Sequence, residues 1–127
     1  MLTKISTEKA PAAIGPYSQA ISTGTMLYTS GQLGINPANG ELEGNDITAQ
    51  AEQVMKNLGA VLEEAGTNFD NIVKTTCFLA DMADFAAFNA VYSKYITSAP
   101  ARSCVAVKTL PKNALVEVEA VAVIEVK

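Results

Sequence analysis

The spacing of apolar positions changes several times along the chain, and the N-terminal part has the pattern of a β-hairpin. Residues 17–22 and 25–30 are strand-like and are separated by the turn pair Thr23-Gly24, which predicts two antiparallel strands. Residues 36–40 end in Asn-Gly, a turn signal, and are expected to form a loop. The chain is therefore expected to begin with sheet structure.

A long amphipathic helix is predicted from residue 46 to residue 65. Asp46 is suited to cap its start, and Gly66 supplies a residue that commonly ends a helix in the left-handed conformation. Gly59 lies inside and costs about 1 kcal/mol relative to Ala, which suggests close packing there. The apolar positions recur every three or four residues: Ile47, Ala51, Val54, Met55, Leu58, Leu62 and Ala65.

The second half of the chain alternates again between the two periods. Residues 71–80 are β-branched and aromatic, residues 84–96 return to helical spacing, and residues 102–108 and 115–126 are predicted as the last two strands. The order is β-β-α-β-α-β-β, which favours an α+β sandwich with its helices on one face of the sheet. The other face of the sheet also has to be buried, and we expect other subunits to pack against it.

Two charged residues, Arg102 and Glu117, interrupt the apolar runs of the last two strands. A buried ion costs several kcal/mol unless a partner or a ligand compensates it. If the strands form a hairpin about Pro111-Lys112, both side chains lie on matching faces, about 13 Å apart along the sheet. A one-residue bulge would change this register. Without one, the spacing favours a site assembled between subunits or across a bound ligand.

The composition of the chain excludes several classes of catalytic and metal-binding site. The 127 residues are 49% apolar, which suits a single domain spanning residues 1–127. The absence of histidine excludes a Ser-His-Asp triad, a Cys-His dyad and a His-ligated zinc site. Two cysteines, Cys77 and Cys104, fit neither a disulfide framework nor a zinc site. A net charge of −4 argues against nucleic acid as a partner.

The N-terminus has no long apolar core of a signal peptide, and no run approaches the roughly 20 apolar residues of a membrane-spanning helix. We therefore expect a soluble, cytoplasmic protein with no membrane partner.

Several motifs together resemble one family, the RidA/YjgF deaminases of reactive enamines and imines, many of which are also labelled L-PSP endoribonuclease. The similarity extends nearly from end to end. It is most specific where Pro-Ala-Arg-Ser precedes the final Val-Glu-Val-Glu. The matching segments are Ile14–Ala20 (IGPYSQA), Tyr28–Leu33 (YTSGQL), Asn36–Glu41 (NPANGE), Phe88–Tyr92 (FNAVY) and Pro100–Ala120.

The resemblance implies a fold and a reaction. The fold would be a chorismate-mutase-like sandwich with a mixed sheet of about six strands and two helices on one face, assembled as a homotrimer with clefts at the subunit boundaries. The reaction would be cofactor-free and metal-free hydrolysis of 2-aminoacrylate or 2-iminobutanoate to a 2-oxo acid and ammonia.

The same resemblance assigns site residues. Arg102 would grip the substrate carboxylate and Glu117 would position or activate water. The other substrate-binding positions would be Tyr17, Ser30, Gly31, Asn89 and Cys104.

Plainer interpretations exist for each position. Arg102 suits a salt bridge between subunits equally well when the resemblance is set aside, and Glu117, with Glu119 on the same side, suits a solvated strand face. Cys104 suits simple packing.

The alternative functions are an endoribonuclease or translation inhibitor acting on RNA, and a regulatory trimer that binds 2-oxo acids without turnover. The segment between Tyr92 and Pro100 is shorter than is usual in the family, which affects the expected pocket mouth.

Overall fold

Two α-helices cover one face of a seven-stranded mixed sheet in the computed structural model, which describes residues 2–124. The elements are β1 (Thr3–Ile5), β2 (Ala20–Ser22), β3 (Met26–Thr29), β4 (Gln32–Leu33), β5 (Ile35–Asn36), β6 (Glu41–Leu42), α1 (Ile47–Glu64), β7 (Ile72–Leu79), α2 (Phe85–Tyr95), β8 (Ala101–Ala106) and β9 (Val116–Val123). The sheet order is β1-β2-β3-β9-β7-β8, with the short β4 also pairing with β9, and β5 and β6 form a separate two-stranded sheet. The predicted α+β class, mixed sheet and two helices are confirmed.

Helix α1 begins and ends as its sequence predicts. The Oδ1 atom of Asp46 accepts a hydrogen bond from the backbone N–H of Ala49 at 2.8 Å, and Gly66 has a φ of +83° just beyond the helix. A Cβ atom on Gly59 would lie 3.0 Å from Cζ of Phe69, so this glycine admits an aromatic ring against the helix. Neither helix of residues 2–124 is long and apolar enough to cross a membrane.

The core lies between the helices and the two central strands, β7 and β9. Along β9, alternate residues are fully buried beneath α1, and the residues between them are only half-buried on the opposite face. Complete burial of an aliphatic side chain contributes about 1.5–3 kcal/mol, so these strands anchor the sheet. The buried set on the helical face is Thr75, Cys77, Leu79, Val116, Val118, Ala120 and Ala122.

The N-terminal hairpin is confirmed but shorter than predicted. Strands β2 and β3 pair antiparallel, with Ala20 opposite Thr29 and Ser22 opposite Leu27. Four strands of two or three residues, β1, β4, β5 and β6, were not predicted, since segments this short do not complete an alternating pattern. The predicted end of the last strand, residues 125 and 126, lies outside the described residues.

The predicted hairpin between the last two strands is wrong. Strand β8 pairs in parallel with β7, with Arg102 opposite Thr75, whereas β9 pairs antiparallel with the other edge of β7. The physical reason is the helix between β7 and β8: a strand-helix-strand crossover places its two strands parallel and adjacent. The apolar β9 then takes a central position and pairs with strands on both sides.

Candidate active site

The Arg102 side chain is held by one face of α2. Its Nη1 atom donates a hydrogen bond of 2.6 Å to Oδ1 of Asn89. Its guanidinium carbon lies 4.9 Å from the ring centroid of Tyr92 and 5.4 Å from that of Phe85. Residues 85, 89 and 92 share a helix face because they are spaced by four and three positions. We call Arg102, Asn89, Phe85 and Tyr92 the Arg102 cluster.

The arginine in this cluster is not neutralised by a carboxylate of its own chain. Within residues 2–124 the one salt bridge joins Lys94 to Glu52, and Arg102 forms none. Cation–π contacts contribute about 0.5–2 kcal/mol each, and the amide oxygen accepts one of the five guanidinium N–H groups. The remaining donors of this half-buried cation are therefore available to an anionic ligand.

Tyr92 is itself fixed by a buried contact. Its hydroxyl forms a 2.8 Å hydrogen bond with the hydroxyl of Thr75 on β7, and burial raises the pKa of Tyr92. Thr75 is directly opposite Arg102 in the sheet. The ring under the guanidinium is thus attached to the same strand pair that supports the arginine.

Glu117 lines a pocket of about 750 Å³ whose other lining residues come mostly from residues 11–40, and we call it the Glu117 pocket. Four of the predicted site residues, Tyr17, Ser30, Gly31 and Glu117, line it together. The remaining lining residues come from three loops and from β4 and β5: Pro11, Ala12, Ile14, Gln19, Gln32, Leu33, Ile35, Pro37, Gly40, Pro111 and Lys112.

Gly31 lies directly against the Glu117 carboxylate. A Cβ atom on Gly31 would be 2.5 Å from Oε2 of Glu117 and 2.7 Å from its carboxyl carbon. No side chain fits there unless the carboxylate moves. The glycine therefore leaves the space that the Glu117 carboxylate occupies in the pocket.

The environment of Glu117 makes its carboxylate more basic. Burial, and then the negative charge of Glu119 two residues away, raises the pKa of Glu117 above its ordinary value of 4.5. Both effects disfavour the ionised form. A carboxyl with a raised pKa is suited to exchange protons with a bound water molecule near neutral pH.

Ser30 and Tyr17 lie on the loop side of this pocket. The hydroxyl of Ser30 donates a 2.6 Å hydrogen bond to the carbonyl of Ser18, and its backbone N–H donates to the carbonyl of Gln19 at 2.9 Å. The Gln19 side chain in turn binds the backbone of Thr7, Ala10 and Pro11, which fixes the loop that forms the pocket wall. Tyr17 also lines the pocket and is 53% exposed.

Arg102 and Glu117 lie on opposite faces of the sheet, which corrects the expectation of matching faces. Arg102 is opposite Thr75 and Glu117 is opposite Phe78 on the shared neighbour β7. Residues three apart on a strand point to opposite sides, and paired residues point to the same side. The expected separation along one hairpin face is therefore wrong. Within one chain the predicted residues form two groups: Arg102, Asn89 and Cys104, and the four in the Glu117 pocket.

The sequence profile of the family described as Endoribonuclease L-PSP matches residues 7–124, nearly the whole described chain. The chain belongs to the RidA/YjgF family. The resemblance inferred from the motifs is thus confirmed.

Relatives in this family extend over almost the full length. A mouse protein named 2-iminobutanoate/2-iminopropanoate deaminase is 50% identical over 120 residues, which cover 94% of this chain and 89% of the mouse protein. The crystal structure of RidA from the Antarctic bacterium Psychrobacter is 44% identical with a TM-score of 0.92, covering 96% of this chain and 99% of that one. Escherichia coli TdcF, solved with bound serine, is 40% identical with a TM-score of 0.92, covering 97% and 99%.

Sequence reasoning about this RidA/YjgF chain missed the aromatic support of Arg102. The helical spacing of residues 84–96 places Phe85 and Tyr92 on the same face as Asn89, but it does not show that Arg102 packs against that face. The steric role of Gly31 was also missed, because it depends on β4 and the preceding turn bringing this glycine against β9.

Proposed function

We propose that this protein is a hydrolytic deaminase of small 2-imino acids and their enamine tautomers, such as 2-iminobutanoate and 2-aminoacrylate. The observation that supports this most directly is Arg102: a half-buried guanidinium, fixed by an amide and two aromatic rings, with no carboxylate partner in residues 2–124. The deaminase name of the mouse relative supports the reaction, and the bound serine of the TdcF structure supports a small carboxylate ligand.

In the proposed reaction Arg102 binds the substrate carboxylate. Its planar fork can donate two parallel hydrogen bonds, and Asn89 limits its rotation so that the fork faces one direction. Asn89 then acts through Arg102 as a positioning residue, a different role from the direct substrate contact that the resemblance implies.

Glu117 is proposed to take a proton from water as the water oxygen attacks the imine carbon. The new C–O bond forms while the C=N π electrons move to nitrogen, and Glu117 returns the proton to that nitrogen to give a carbinolamine. Glu117 then takes the proton of the new hydroxyl and passes it to the amine, so that the C=O bond forms as the C–N bond breaks and ammonia leaves, giving the 2-oxo acid. The raised pKa of Glu117 suits both steps, because the same carboxyl accepts and then donates a proton. Tyr17, Ser30 and the backbone of Gly31 would line the substrate.

The two groups of residues are proposed to meet across a subunit boundary in a homotrimer. The sheet face away from the helices exposes large apolar side chains, including Tyr28 at 49% and Val105 at 47%. An exposed apolar sheet face of this kind is typical of a subunit interface. An Arg102 cluster of one subunit beside a Glu117 pocket of the next would give a complete site.

The reaction is tested by generating 2-iminobutanoate in situ with a threonine dehydratase and measuring the rate of 2-oxobutanoate release. Semicarbazide in the assay captures the imine that escapes hydrolysis. Wild-type protein is expected to accelerate release, and Arg102→Ala is expected to lower kcat/KM about 10²–10³-fold, since two charge-assisted hydrogen bonds are lost. Lys108→Ala removes an exposed cation from the same region of the chain and is the matched control. No acceleration by the wild type, or full activity in Arg102→Ala, would exclude the proposal.

Sharing of the site is tested by co-expressing Arg102→Ala and Glu117→Gln chains with different tags. In a randomly mixed trimer about one quarter of boundaries receive both intact residues if neighbouring chains supply them. The purified mixture is then expected to regain about that share of wild-type activity, although each variant alone is inactive. No recovery in mixed trimers would place both residues in one chain's site.

The competing functions are distinguished in the same preparations. Tight 2-oxobutanoate binding without turnover would favour a regulatory trimer. RNA cleavage that disappears in Arg102→Ala or Glu117→Gln would favour a ribonuclease, which the net charge of −4 argues against.

A further inference from the structure

The two cysteines of the chain lie directly opposite each other on adjacent strands. Cys77 of β7 is in register with Cys104 of β8, and both side chains lie on the helical face of the sheet. Adjacent strands are about 4.8 Å apart, which is inside the range of Cα separations, about 4.4–6.8 Å, that disulfides span. Both thiols are free, and each influences the pKa of the other.

We propose that Cys77 and Cys104 are an oxidation site that closes to a reversible intramolecular disulfide when the protein meets a peroxide. The Cys104 sulfur attacks one oxygen of hydrogen peroxide, the O–O bond breaks, and Cys104 becomes a sulfenic acid as one water leaves. The Cys77 sulfur then attacks the Cys104 sulfur, the S–O bond breaks, and a second water leaves with the Cys77 proton. Two thiols and one peroxide thus give one disulfide and two waters.

Exposure determines which cysteine reacts first. Cys77 is 0% exposed, whereas Cys104 is half-buried beside Arg102. Burial raises the pKa of Cys77 to about 12 and also raises that of Cys104, while the Arg102 charge favours both thiolates. Cys104 is therefore the thiol that meets the oxidant. Cys77 is the resolving thiol, already in place when the sulfenic acid forms.

The disulfide would join the two strands that support the Arg102 cluster. Cys104 is two residues from Arg102 on β8, and Cys77 is two residues from Thr75, whose hydroxyl binds Tyr92. A reducing thiol can reach the Cys104 sulfur and release Cys77, so the bond is expected to open again under reducing conditions.

The experiment follows both thiols in the fully reduced wild-type protein treated with hydrogen peroxide. Alkylation in denaturant and intact mass are expected to show a monomeric chain lighter by two hydrogen atoms, with neither thiol alkylated, and full reversal by dithiothreitol. The crosslink is also expected to raise the thermal midpoint under non-reducing conditions, because it constrains the unfolded chain. Two alkylatable thiols after peroxide, a sulfinic acid at Cys104 beside a free Cys77, or a bond between two chains would each overturn the proposal.

Two variants separate the roles of the cysteines. Cys77→Ser is expected to stop at a sulfenic acid on Cys104, detected with a dimedone probe. Cys104→Ser is expected to retain an alkylatable Cys77 after the same treatment. A sulfenic acid on Cys77 in Cys104→Ser would contradict the assigned order. The wild-type mass measurement decides the proposal by itself, so the test does not depend on whether either variant folds.

Discussion

The Arg102 cluster and the Glu117 pocket differ in how they treat the charge of their central residue. Arg102 is surrounded by specific contacts, with an amide at 2.6 Å and aromatic rings at 4.9 and 5.4 Å. Glu117 forms no salt bridge within residues 2–124, and its pKa is raised by burial and by a like charge. The cation is thus stabilised in one orientation, whereas the anion is destabilised and its pKa is raised. In the proposed reaction, substrate binding requires the first arrangement and proton transfer requires the second.

Glu117→Gln should have the largest effect, since it removes the proposed base while preserving the shape of the pocket. The expected result is a fall in kcat of about 10²–10⁴-fold, with a KM close to that of the wild type. Steady-state kinetics with the dehydratase-coupled assay measure both. Glu41→Gln, an exposed carboxylate on β6, is the control and should leave the rate unchanged.

The same variant tests whether the ionised Glu117 carboxylate lowers the stability of the folded protein. A carboxyl whose pKa is raised in the folded protein stabilises the fold below its unfolded pKa, and this contribution is lost as pH rises through the folded value. At neutral pH the ionised Glu117 is therefore unfavourable to folding. Glu117→Gln should unfold at the same or a higher temperature than the wild type, and a clearly lower midpoint would contradict this description of the pocket.

Gly31→Ala should disturb the Glu117 pocket and leave the Arg102 cluster intact. Because the new methyl carbon would be 2.5 Å from the carboxylate oxygen, Glu117 has to move. A displacement of about 1 Å at a reacting group can cost about 100-fold in rate, so we expect a fall in kcat of this order. Gly24→Ala is a poor control because its φ is +106°. Leu33→Ala is the comparison, because it truncates the residue paired with Glu117 in the same pocket and adds no atom against the carboxylate. Unchanged kcat in Gly31→Ala would show that the position of Glu117 does not limit the reaction.

Asn89→Ala should weaken binding more than it slows the reaction. Loss of the hydrogen bond to Nη1 removes about 1.5–3 kcal/mol of a contact to a charged group, so KM is expected to rise by about tenfold or more with kcat nearly unchanged. Tyr92→Phe retains the ring under the guanidinium and loses only the bond to Thr75, so it is the milder comparison. A fall in kcat with unchanged KM in Asn89→Ala would argue for a direct role in the reaction.

The sequence predicted the elements of this fold better than their arrangement. Helix α1, the N-terminal hairpin and the strand at β7 follow from local periodicity, caps and turns, all of which act within a few residues. The position of β9 between β3 and β7 depends on pairing between residues far apart in the chain, which local spacing does not reveal.

The same distinction explains which parts of the site were predicted. The motifs indicated which residues to consider, and the structure brings Tyr17, Ser30, Gly31 and Glu117 to one pocket. They did not reveal that Arg102 is supported by α2 or that it faces away from Glu117. Those relations arise from the parallel pairing of β7 with β8, which the helix between these two strands favours over the hairpin that adjacency in the sequence suggests.

Glu119→Gln should have the smallest effect and gives the sharpest test of how the Glu117 pocket sets its chemistry. The proposed reaction needs ionised Glu117, so kcat/KM should fall as pH decreases through its pKa, at a pH above the ordinary value of 4.5. Glu119 is the second cause of that raised pKa, and burial is the first. Removing the charge should move the acid limb of the pH profile to lower pH but leave it above 4.5, with little change in the rate at neutral pH. A limb that does not move would assign the whole shift to burial, and a limb that moves to higher pH would exclude Glu117 as the group that titrates.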